Sequence, residues 1–341
     1  MILFPIIYGT MAKFLIFRTD RIGDYIFSRM LTESIKNDKS NHTIDLVCSS
    51  YNSNYVKNFK DINKIYVLDK YNLKLMIKNL FEINKTKYDY LIILDGKRRS
   101  VFFSILLFSK QKIAVLKDFR PYLILKIFFD TYFINSEVNS QYENFSCIIN
   151  FLNLKVPNKV DYFNGYKLKK LHFKFLPKKY SLLHLDEKWF EGHYYDDFQY
   201  MNLNVNNFDL LISTIFKKFK NNIVITSGKS NIMQFKNIID KFFIKINKNE
   251  YISRKYKKRL IYLDKTDFRD LESIVKKSAE VICCEGAISH VSNVFEKLTF
   301  ALVNYQGVNT GIFWTKHMPK IKLIFREDIK KVCKNISNFQ I

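Results

Sequence analysis

A polar segment between an apolar strand and a helix, RTDRIGD at residues 18–24, holds the first candidate for chemistry. The turn after the first strand of a doubly wound sheet faces the ligand crevice. Gly23 permits a tight turn, and Asp24 falls in the first turn of the helix. A carboxylate there either caps the helix, which the local pattern alone favours, or acts as a general base. The segment is not a G-x-G-x-x-G fingerprint, which disfavours a dinucleotide cofactor.

A second segment, DGKRRS at residues 95–100, directly follows a very apolar strand. Lys97, Arg98 and Arg99 would be delivered by that strand end into the same crevice. Arg binds phosphate or carboxylate in bidentate fashion, and Lys acts as a point charge. The segment therefore predicts either an anion clamp or, equally, an ordinary solvated basic turn.

A third segment, CEGAISH, also leads from an apolar strand into a helix. The small residues Gly286, Ala287 and Ser289 would let an anionic ligand approach main-chain N–H groups at the positive end of that helix. Glu285 could accept hydrogen bonds from sugar hydroxyls, and His290 could donate one to a phosphate or sugar oxygen. The alternative is an ordinary strand–helix junction with a half-buried histidine.

The amino-acid composition excludes several classes of protein. The chain has 341 residues, with 56 Lys and Arg against 32 Asp and Glu, and a formal net charge of +24. A hydrophobic content of 48% excludes a disordered polybasic chain, and only 9 Gly and 5 Pro exclude collagen-like and linker-dominated classes. The charge would attract nucleic acid, anionic lipid or phosphorylated sugars, although an AT-rich coding sequence would also produce part of it.

Short apolar runs alternate with segments of helical periodicity along the chain, beginning with KFLIFR at 13–18 and a helix over 24–36. Near-continuous apolar strands separated by helices predict parallel sheets covered on both faces. The alternation of strands and helices is interrupted around residues 156–179 and then resumes. We therefore expect two Rossmann-like, doubly wound α/β domains facing a cleft. The expected bounds are 11–165 for the N-terminal domain, 178–325 for the C-terminal domain and 326–341 for a C-terminal helix or tail.

Five cysteines show no C-x-x-C spacing and no His-rich cluster. They predict reduced, mostly buried thiols of a cytosolic protein, without disulfides or a structural zinc. The longest apolar runs, such as residues 101–108, fall short of the roughly 20 residues of a membrane-spanning helix. Residues 1–10 lack the basic region and cleavage site of a signal peptide, so we expect a start-site extension there, with a short membrane-touching tail as the alternative.

These segments, in this order, resemble glycosyltransferase family 9, which contains the bacterial lipopolysaccharide heptosyltransferases. The family opens with a strand, an R-x-x-x-(I/L)-G-D turn and a helix, and the turn here is residues 18–24. LIILDGKRRS resembles its D-x-x-G-x-x-R-S segment. YSLLHLDEKW resembles the start of its donor-binding half, with Lys188 where a lysine contacts donor phosphate. VICCEGAISH resembles its strand and D-(S/T)-G-x-x-H motif, and the resemblance extends over about residues 12–325.

The resemblance implies a two-domain GT-B type enzyme that moves a sugar, most simply heptose from ADP-heptose, to a lipopolysaccharide-core or related acceptor with inversion and without a metal or other cofactor. It implies Asp24 as general base, Lys97, Arg98 and Arg99 at the acceptor, and a donor site at Lys188, Glu285, Gly286, Ala287, Ser289 and His290. The implied partners are the nucleotide-sugar, a phosphorylated glycolipid and the anionic inner face of the cytoplasmic membrane, without nucleic acid. The implied location is cytoplasmic, peripheral at that membrane.

Two departures from the family pattern bear on the donor. Glu285 replaces the family's Asp and lengthens the side chain, and Gly286 replaces a Ser or Thr whose hydroxyl would contact donor phosphate. A transferase for another sugar in O-antigen or capsule assembly and a catalytically degenerate homologue therefore remain open. A different class, a non-catalytic basic protein that binds polyanions, is favoured by the charge. Against it stand the dispersed lysines and the lack of a zinc-finger or RRM signature.

Overall fold

The chain forms two compact units, which divide between Lys167 and Leu168. The computed structural model describes residues 11–38, 41–69, 71–116, 127–134, 139–157, 166–190, 201, 203–228, 232–304 and 308–339. The predicted N-terminal extension, residues 1–10, lies outside them. Within these described ranges, no helix is long and apolar enough to cross a membrane.

The first unit is built on one six-stranded sheet of order β3-β2-β1-β4-β5-β6, in which all neighbouring strands are parallel. Its described elements are β1 (Lys13–Arg18), α1 (Ile22–Asn37), β2 (Thr43–Cys48), α2 (Ser53–Val56), β3 (Lys64–Val67), α3 (Leu73–Asn84), β4 (Tyr88–Ile93), α4 (Arg98–Ile105), β5 (Ser109–Leu116), β6 (Thr131–Ile134) and α5 (Gln141–Phe151).

Helices cover this sheet as the near-continuous apolar strands predict. Leu15 and Phe17 of β1 belong to a core that also contains buried side chains of α3 and α4. Phe14, which alternates with them, points to the other face, where its ring stacks on Tyr90. Helix α1 packs on α5, with Phe27 buried.

The second unit contains an eight-stranded sheet of order β14-β13-β12-β7-β8-β11-β10-β9. Its described elements are β7 (Tyr180–Leu185), a 3₁₀ turn (Glu187–Trp189), α6 (Phe208–Phe219), β8 (Asn222–Ser227), α7 (Met233–Phe242), β9 (Phe243–Lys245), β10 (Glu250–Ser253), β11 (Lys257–Leu263), α8 (Phe268–Lys277), β12 (Glu280–Cys284), α9 (Ala287–Val294), β13 (Leu298–Val303), α10 (Val308–Thr315), β14 (Ile321–Phe325) and α11 (Ile329–Asn338).

One face of the second sheet forms a large core with α6, α7 and α11. Helix α11 lies in the stretch expected as a C-terminal helix or tail. It packs against α6 and buries Ile329, Val332, Cys333 and Ile336 in this core. Helix α8 contacts α9 and β7, and Tyr180 of β7 donates a hydrogen bond to the carbonyl of Ile274 in α8 at 2.7 Å.

The prediction of two doubly wound α/β units is confirmed, with local differences. Strands β9 and β10 pair antiparallel with each other, and β10 pairs antiparallel with β11, so the second sheet is not wholly parallel. The periodicity did not indicate these two short strands, nor β5, β6, β14 and α5. Strand β11 begins with the exposed residues Lys257–Arg259, which place its start three residues before the expected apolar run.

Among the parallel strands of each described sheet, the strand order reverses at one point. In the first sheet β1 lies between β2 and β4, and in the second β7 lies between β8 and β12. Ligands of open α/β sheets bind outside the carboxyl ends of the strands at such a point. The segments after β1, β4, β7 and β12 are those in which the sequence analysis placed its candidate residues.

Candidate functional site

In the first unit, the carboxylate of Asp95 holds the segments after β1 and β4 together. Asp95 is buried and accepts hydrogen bonds from the main-chain N–H of Thr19 at 3.1 Å and the hydroxyl of Ser100 at 2.7 Å. The hydroxyl of Thr19 and the main-chain N–H of Lys97 donate to it as well. This carboxylate therefore fixes the geometry of the crevice rather than facing a substrate.

Asp24 lies beside this junction in the first turn of α1. Its Oδ2 accepts a hydrogen bond from the main-chain N–H of Arg21 at 3.2 Å, so the carboxylate does serve as half of a capping box. Its Oδ1 lies 3.7 Å from the guanidinium of the buried Arg18, and 29% of its side chain is exposed. The geometry suits both interpretations of Asp24, because the capping hydrogen bond and the guanidinium orient a carboxylate that is still accessible.

The three basic residues of the second segment differ in their surroundings. Lys97 forms an ion pair with Asp20 and donates to the carbonyl of Thr19 at 3.1 Å, so its charge is already largely compensated. Arg98 is exposed at the start of α4. Arg99 is half-buried, and within the described part of the chain its Nε has no hydrogen-bond partner. The two arginines are therefore better placed than Lys97 to bind an external anion.

In the second unit, Lys188 connects the segments that follow β7 and β12. Its Nζ donates a hydrogen bond to the main-chain carbonyl of Glu285. Burial acts to lower the pKa of Lys188, but the nearby carboxylates of Asp186 and Glu285 outweigh it and raise that pKa above its usual value. The ammonium group therefore stays protonated at the reversal point of the sheet, where it can pair with an anion.

Asp186 completes this cluster and was not among the residues predicted from the sequence. Its carboxylate accepts a hydrogen bond from the main-chain N–H of Lys188 at 3.2 Å. Burial raises the pKa of Asp186, against the opposing effect of the Lys188 ammonium. The residue follows β7 by one position, which is the only signal in the sequence that could have indicated it.

Gly286 forms the bend between β12 and α9. Its φ of +156° is one that L side chains rarely adopt, and a Cβ built there would lie 3.2 Å from Nζ of Lys188. The backbone thus requires glycine where the family pattern has Ser or Thr, and the absence of a side chain leaves room beside the ammonium group.

Helix α9 starts at Ala287, directly after this bend. The first N–H groups of a helix have no intrahelical acceptor, and they carry the positive end of its dipole. The Ser289 hydroxyl donates to the carbonyl of Gly286 at 2.7 Å and accepts from the Gly286 N–H at 3.2 Å, so this side chain closes the turn. The segment therefore offers main-chain donors and an ammonium group to the same anion.

His290 is buried in α9, with its ring edge-on to Trp314 at a centroid distance of 5.9 Å. Arg326, which the sequence analysis did not select, is buried directly after β14. Its charge acts on both Asp186 and Lys188, lowering the pKa of each. A strand that the periodicity did not indicate therefore adds a cation to this end of the sheet.

A cavity of about 890 Å³ lies at the carboxyl ends of β8 and β11 in the same unit. Its wall includes the aromatic rings of Tyr251 and Tyr262 and the carboxylate of Asp264. The Tyr262 hydroxyl donates to Asp264 at 2.9 Å and lies 3.3 Å from the hydroxyl of Ser227. Aromatic faces next to hydroxyl and carboxylate acceptors suit a nucleoside-sized ligand, and sequence reasoning had missed this cavity.

The structure thus brings Lys188, Glu285 and Gly286 together, with the start of α9, in one cluster of the second unit. It brings Asp24 and the segment of Arg98 and Arg99 to one end of the first sheet. In the described ranges, no group of three or more His, Cys, Asp or Glu side chains is arranged to hold a metal ion.

Comparison with known proteins identifies the fold. No family model matches the sequence, and no curated protein matches it. Among solved structures, E. coli heptosyltransferase WaaC with ADP is similar at a TM-score of 0.68 and 12% identity, covering 95% of this chain and 98% of that one. A glycosyl transferase family 9 protein from Veillonella parvula is similar at a TM-score of 0.67 and 12% identity, covering 97% and 92%.

A protein with a different activity shares this fold as well. A UDP-GlcNAc 2-epimerase from Methanocaldococcus jannaschii is similar at a TM-score of 0.54 and 14% identity, covering 96% of this chain and 93% of that one. The chain therefore has the two-unit α/β fold of these structures over nearly its whole length. Its chemistry has to be argued from the site.

Proposed function

We propose that this protein is a glycosyltransferase that moves a sugar, in the first instance heptose from ADP-heptose, to a hydroxyl of a lipopolysaccharide-core or related glycolipid acceptor. The observation that carries the proposal is the Lys188–Glu285 contact across the reversal point of the second sheet, next to the start of α9. The fold similarity to WaaC, a heptosyltransferase whose structure contains ADP, supports the same class of donor.

On the second unit, the donor diphosphate would bind to Lys188 and the first N–H groups of α9. These groups stabilise the negative charge that grows on the leaving diphosphate, and this task requires no proton transfer. The cavity bounded by Tyr251, Tyr262 and Asp264 would take the nucleoside, with the carboxylate accepting a ribose hydroxyl. Glu285 would contact the sugar, whereas His290 is buried against Trp314 and is not assigned a ligand contact.

On the first unit, Asp24 would act as the general base. The acceptor hydroxyl gives its proton to the Asp24 carboxylate while its oxygen attacks the anomeric carbon. The bond from that carbon to the diphosphate oxygen breaks, ADP leaves, and a single displacement inverts the anomeric centre. Arg98 and Arg99 would bind phosphate groups of the acceptor, with Lys97 as a weaker contributor because Asp20 compensates its charge.

An enzyme with this activity would work at the cytoplasmic face of the inner membrane, where a phosphorylated glycolipid acceptor would be presented. The basic composition of the chain suits such an anionic environment.

The test is ADP release from ADP-heptose in the presence of a core acceptor. Asp24→Asn should lower turnover by about 10² to 10⁴, the usual contribution of a general base, while the affinity for ADP stays unchanged. Asp209→Asn is the matched control, because Asp209 also lies in the first turn of a helix and accepts hydrogen bonds. Equal turnover of Asp24→Asn and wild type refutes the assignment of Asp24 as the general base.

The competing class, a non-catalytic polyanion-binding protein, makes a different prediction. Purely electrostatic binding of nucleic acid falls steeply with salt and does not distinguish ADP from UDP. A nucleotide that binds the folded state at 100 times its Kd stabilises it by about 2.7 kcal/mol. A rise in Tm with ADP-heptose, but not with other nucleotide-sugars, supports the proposed donor; a rise with another nucleotide-sugar supports a transferase for a different sugar.

A further inference from the structure

Helix α3 carries apolar side chains on two faces. Its inner face packs on the first sheet, with Ile83 fully buried. On its outer side, Leu73, Ile77 and Phe81 repeat every four residues and are exposed, Leu73 at 68% and Phe81 at 66%. A surface helix of a globular protein normally has one apolar face. The second apolar face of α3 therefore has no role in the core of this unit.

The neighbouring end of α4 extends this exposed surface. Asn84 at the end of α3 donates to the carbonyl of Leu106 at 3.0 Å and accepts from the N–H of Phe108 at 3.1 Å. Leu106 is exposed, and so is Phe108, at 76%. The α3–α4 patch is defined as six exposed apolar side chains: Leu73, Ile77, Phe81, Phe102, Leu106 and Phe108. Large exposed apolar side chains grouped on neighbouring elements in this way mark an interaction site.

The chain segment that carries the patch is basic. Between positions 71 and 112 the chain has nine Lys and Arg against three Asp and Glu. Lys74 and Lys78 are exposed on α3 and alternate along it with the apolar residues of the patch. Exposed apolar and aromatic side chains flanked by lysines are the features of a helix that lies in the interface of an anionic bilayer.

We propose that the α3–α4 patch is the surface by which this protein docks on an anionic lipid membrane. The apolar side chains would enter the interface between head groups and acyl chains, and Lys74 and Lys78 would pair with anionic head groups. The choice of a membrane as the occupant rests partly on the proposed function, whose acceptor is a glycolipid. A second copy of the chain is disfavoured, because a two-fold contact through the same patch would oppose the lysines of one copy with those of the other.

The experiment is co-sedimentation of the full chain with vesicles of phosphatidylcholine alone and of phosphatidylcholine mixed with phosphatidylglycerol. We expect binding to the mixed vesicles only. Phe81→Ser with Phe108→Ser should weaken that binding at least about tenfold through the lost apolar contacts. Lys74→Gln with Lys78→Gln should weaken it by a similar factor without changing any packed side chain.

A matched control is available in the second unit. Lys330 and Lys334 are also exposed and four residues apart on a helix, α11. Lys330→Gln with Lys334→Gln removes the same charge and should leave vesicle binding unchanged. Far-UV circular dichroism checks that every variant is folded.

Three results would overturn the proposal: no binding of wild type to anionic vesicles, equal binding by the patch variants, or an equal loss in the α11 control. Light scattering would identify a second copy as the occupant if wild type dimerises and the Phe81/Phe108 double variant does not. Sugar transfer to a soluble, delipidated acceptor is measured in the same samples. Vesicle binding without transfer refutes only the proposed function, and transfer without vesicle binding refutes only the docking surface.

Discussion

Lys188 reaches across the reversal point of the second sheet and donates a hydrogen bond from Nζ to the main-chain carbonyl of Glu285. The two residues are 97 positions apart in the chain. They meet because β7 and β12 are adjacent and parallel, so that both carboxyl ends fall on the same edge. The contact places a protonated amine beside the bend at Gly286 and the start of α9.

Replacement of Lys188 by Met should weaken ADP binding. A hydrogen bond to a charged group contributes about 2 kcal/mol, so we expect the Kd of ADP to rise roughly thirtyfold. Isothermal titration calorimetry measures this. Lys112→Met is the matched control, because Lys112 is also half-buried and donates to main-chain carbonyls, those of Ser104 and Ile105 in the first unit. If both variants bind ADP like wild type, Lys188 does not contact the diphosphate.

Substitution of Gly286 should destabilise the protein, and the hydroxyl of a threonine there should not restore the stability. An L residue at a φ of +156° is strained, and a Cβ would approach Lys188. We expect Gly286→Ala and Gly286→Thr to lower the free energy of unfolding by about 1–3 kcal/mol in urea titrations. Gly228→Ala is the control, since its Cβ would meet its nearest atom at an ordinary 3.4 Å. Equal stability of Gly286→Thr and wild type would contradict the strain argument.

Replacement of Asp95 by Asn should loosen the crevice of the first unit. An amide cannot accept from all four donors that surround the carboxylate of Asp95, so buried hydrogen bonds are lost. We expect a destabilisation of about 2–4 kcal/mol, measured by urea unfolding. Asp69→Asn serves for comparison, because the carboxylate of Asp69 accepts a main-chain hydrogen bond from Tyr71 in an exposed turn. A loss of similar size in both variants would contradict the central role of Asp95.

Acidification should destabilise the second unit through His184. This side chain is buried in β7, with Nδ1 3.0 Å from the Thr226 hydroxyl, and burial lowers its pKa to about 4. In the unfolded chain the imidazole has its ordinary pKa of 6.5. The stabilisation by the neutral, buried His184 is therefore complete above that pH and is lost as the pH falls towards 4. From this residue alone we expect a loss of about 2 kcal/mol by about pH 5.

The check is thermal unfolding of wild type and His184→Gln at neutral pH and at about pH 5. The glutamine variant is expected to be less stable at neutral pH but to lose less on acidification. His317 contributes in the same direction, because burial also lowers its pKa to about 4. If the stability of His184→Gln falls with acidification as steeply as that of wild type, the whole effect belongs to other groups.

The amino-acid sequence by itself determined the class of fold and the segments of interest. Alternation of apolar strands and helices is a local property, and polar residues that follow each strand are visible without any tertiary information. Strands β1, β2 and β7 have the bounds that the apolar runs indicated. The short antiparallel strands β9 and β10 were missed because they are too short and too mixed in polarity to have a period of their own.

Only the tertiary structure decided which of the candidate side chains have partners. Lys97 and Arg98 are neighbours in the sequence, yet the pairing of β1 with β4 brings Lys97 to Asp20 and leaves Arg98 exposed. The charge of Arg326 acts to lower the pKa of Asp186 although the two residues lie far apart in the chain, because β14, β13, β12 and β7 are consecutive in the sheet. The reason is physical: the order and register of parallel strands arise from long-range packing, and no local pattern contains them.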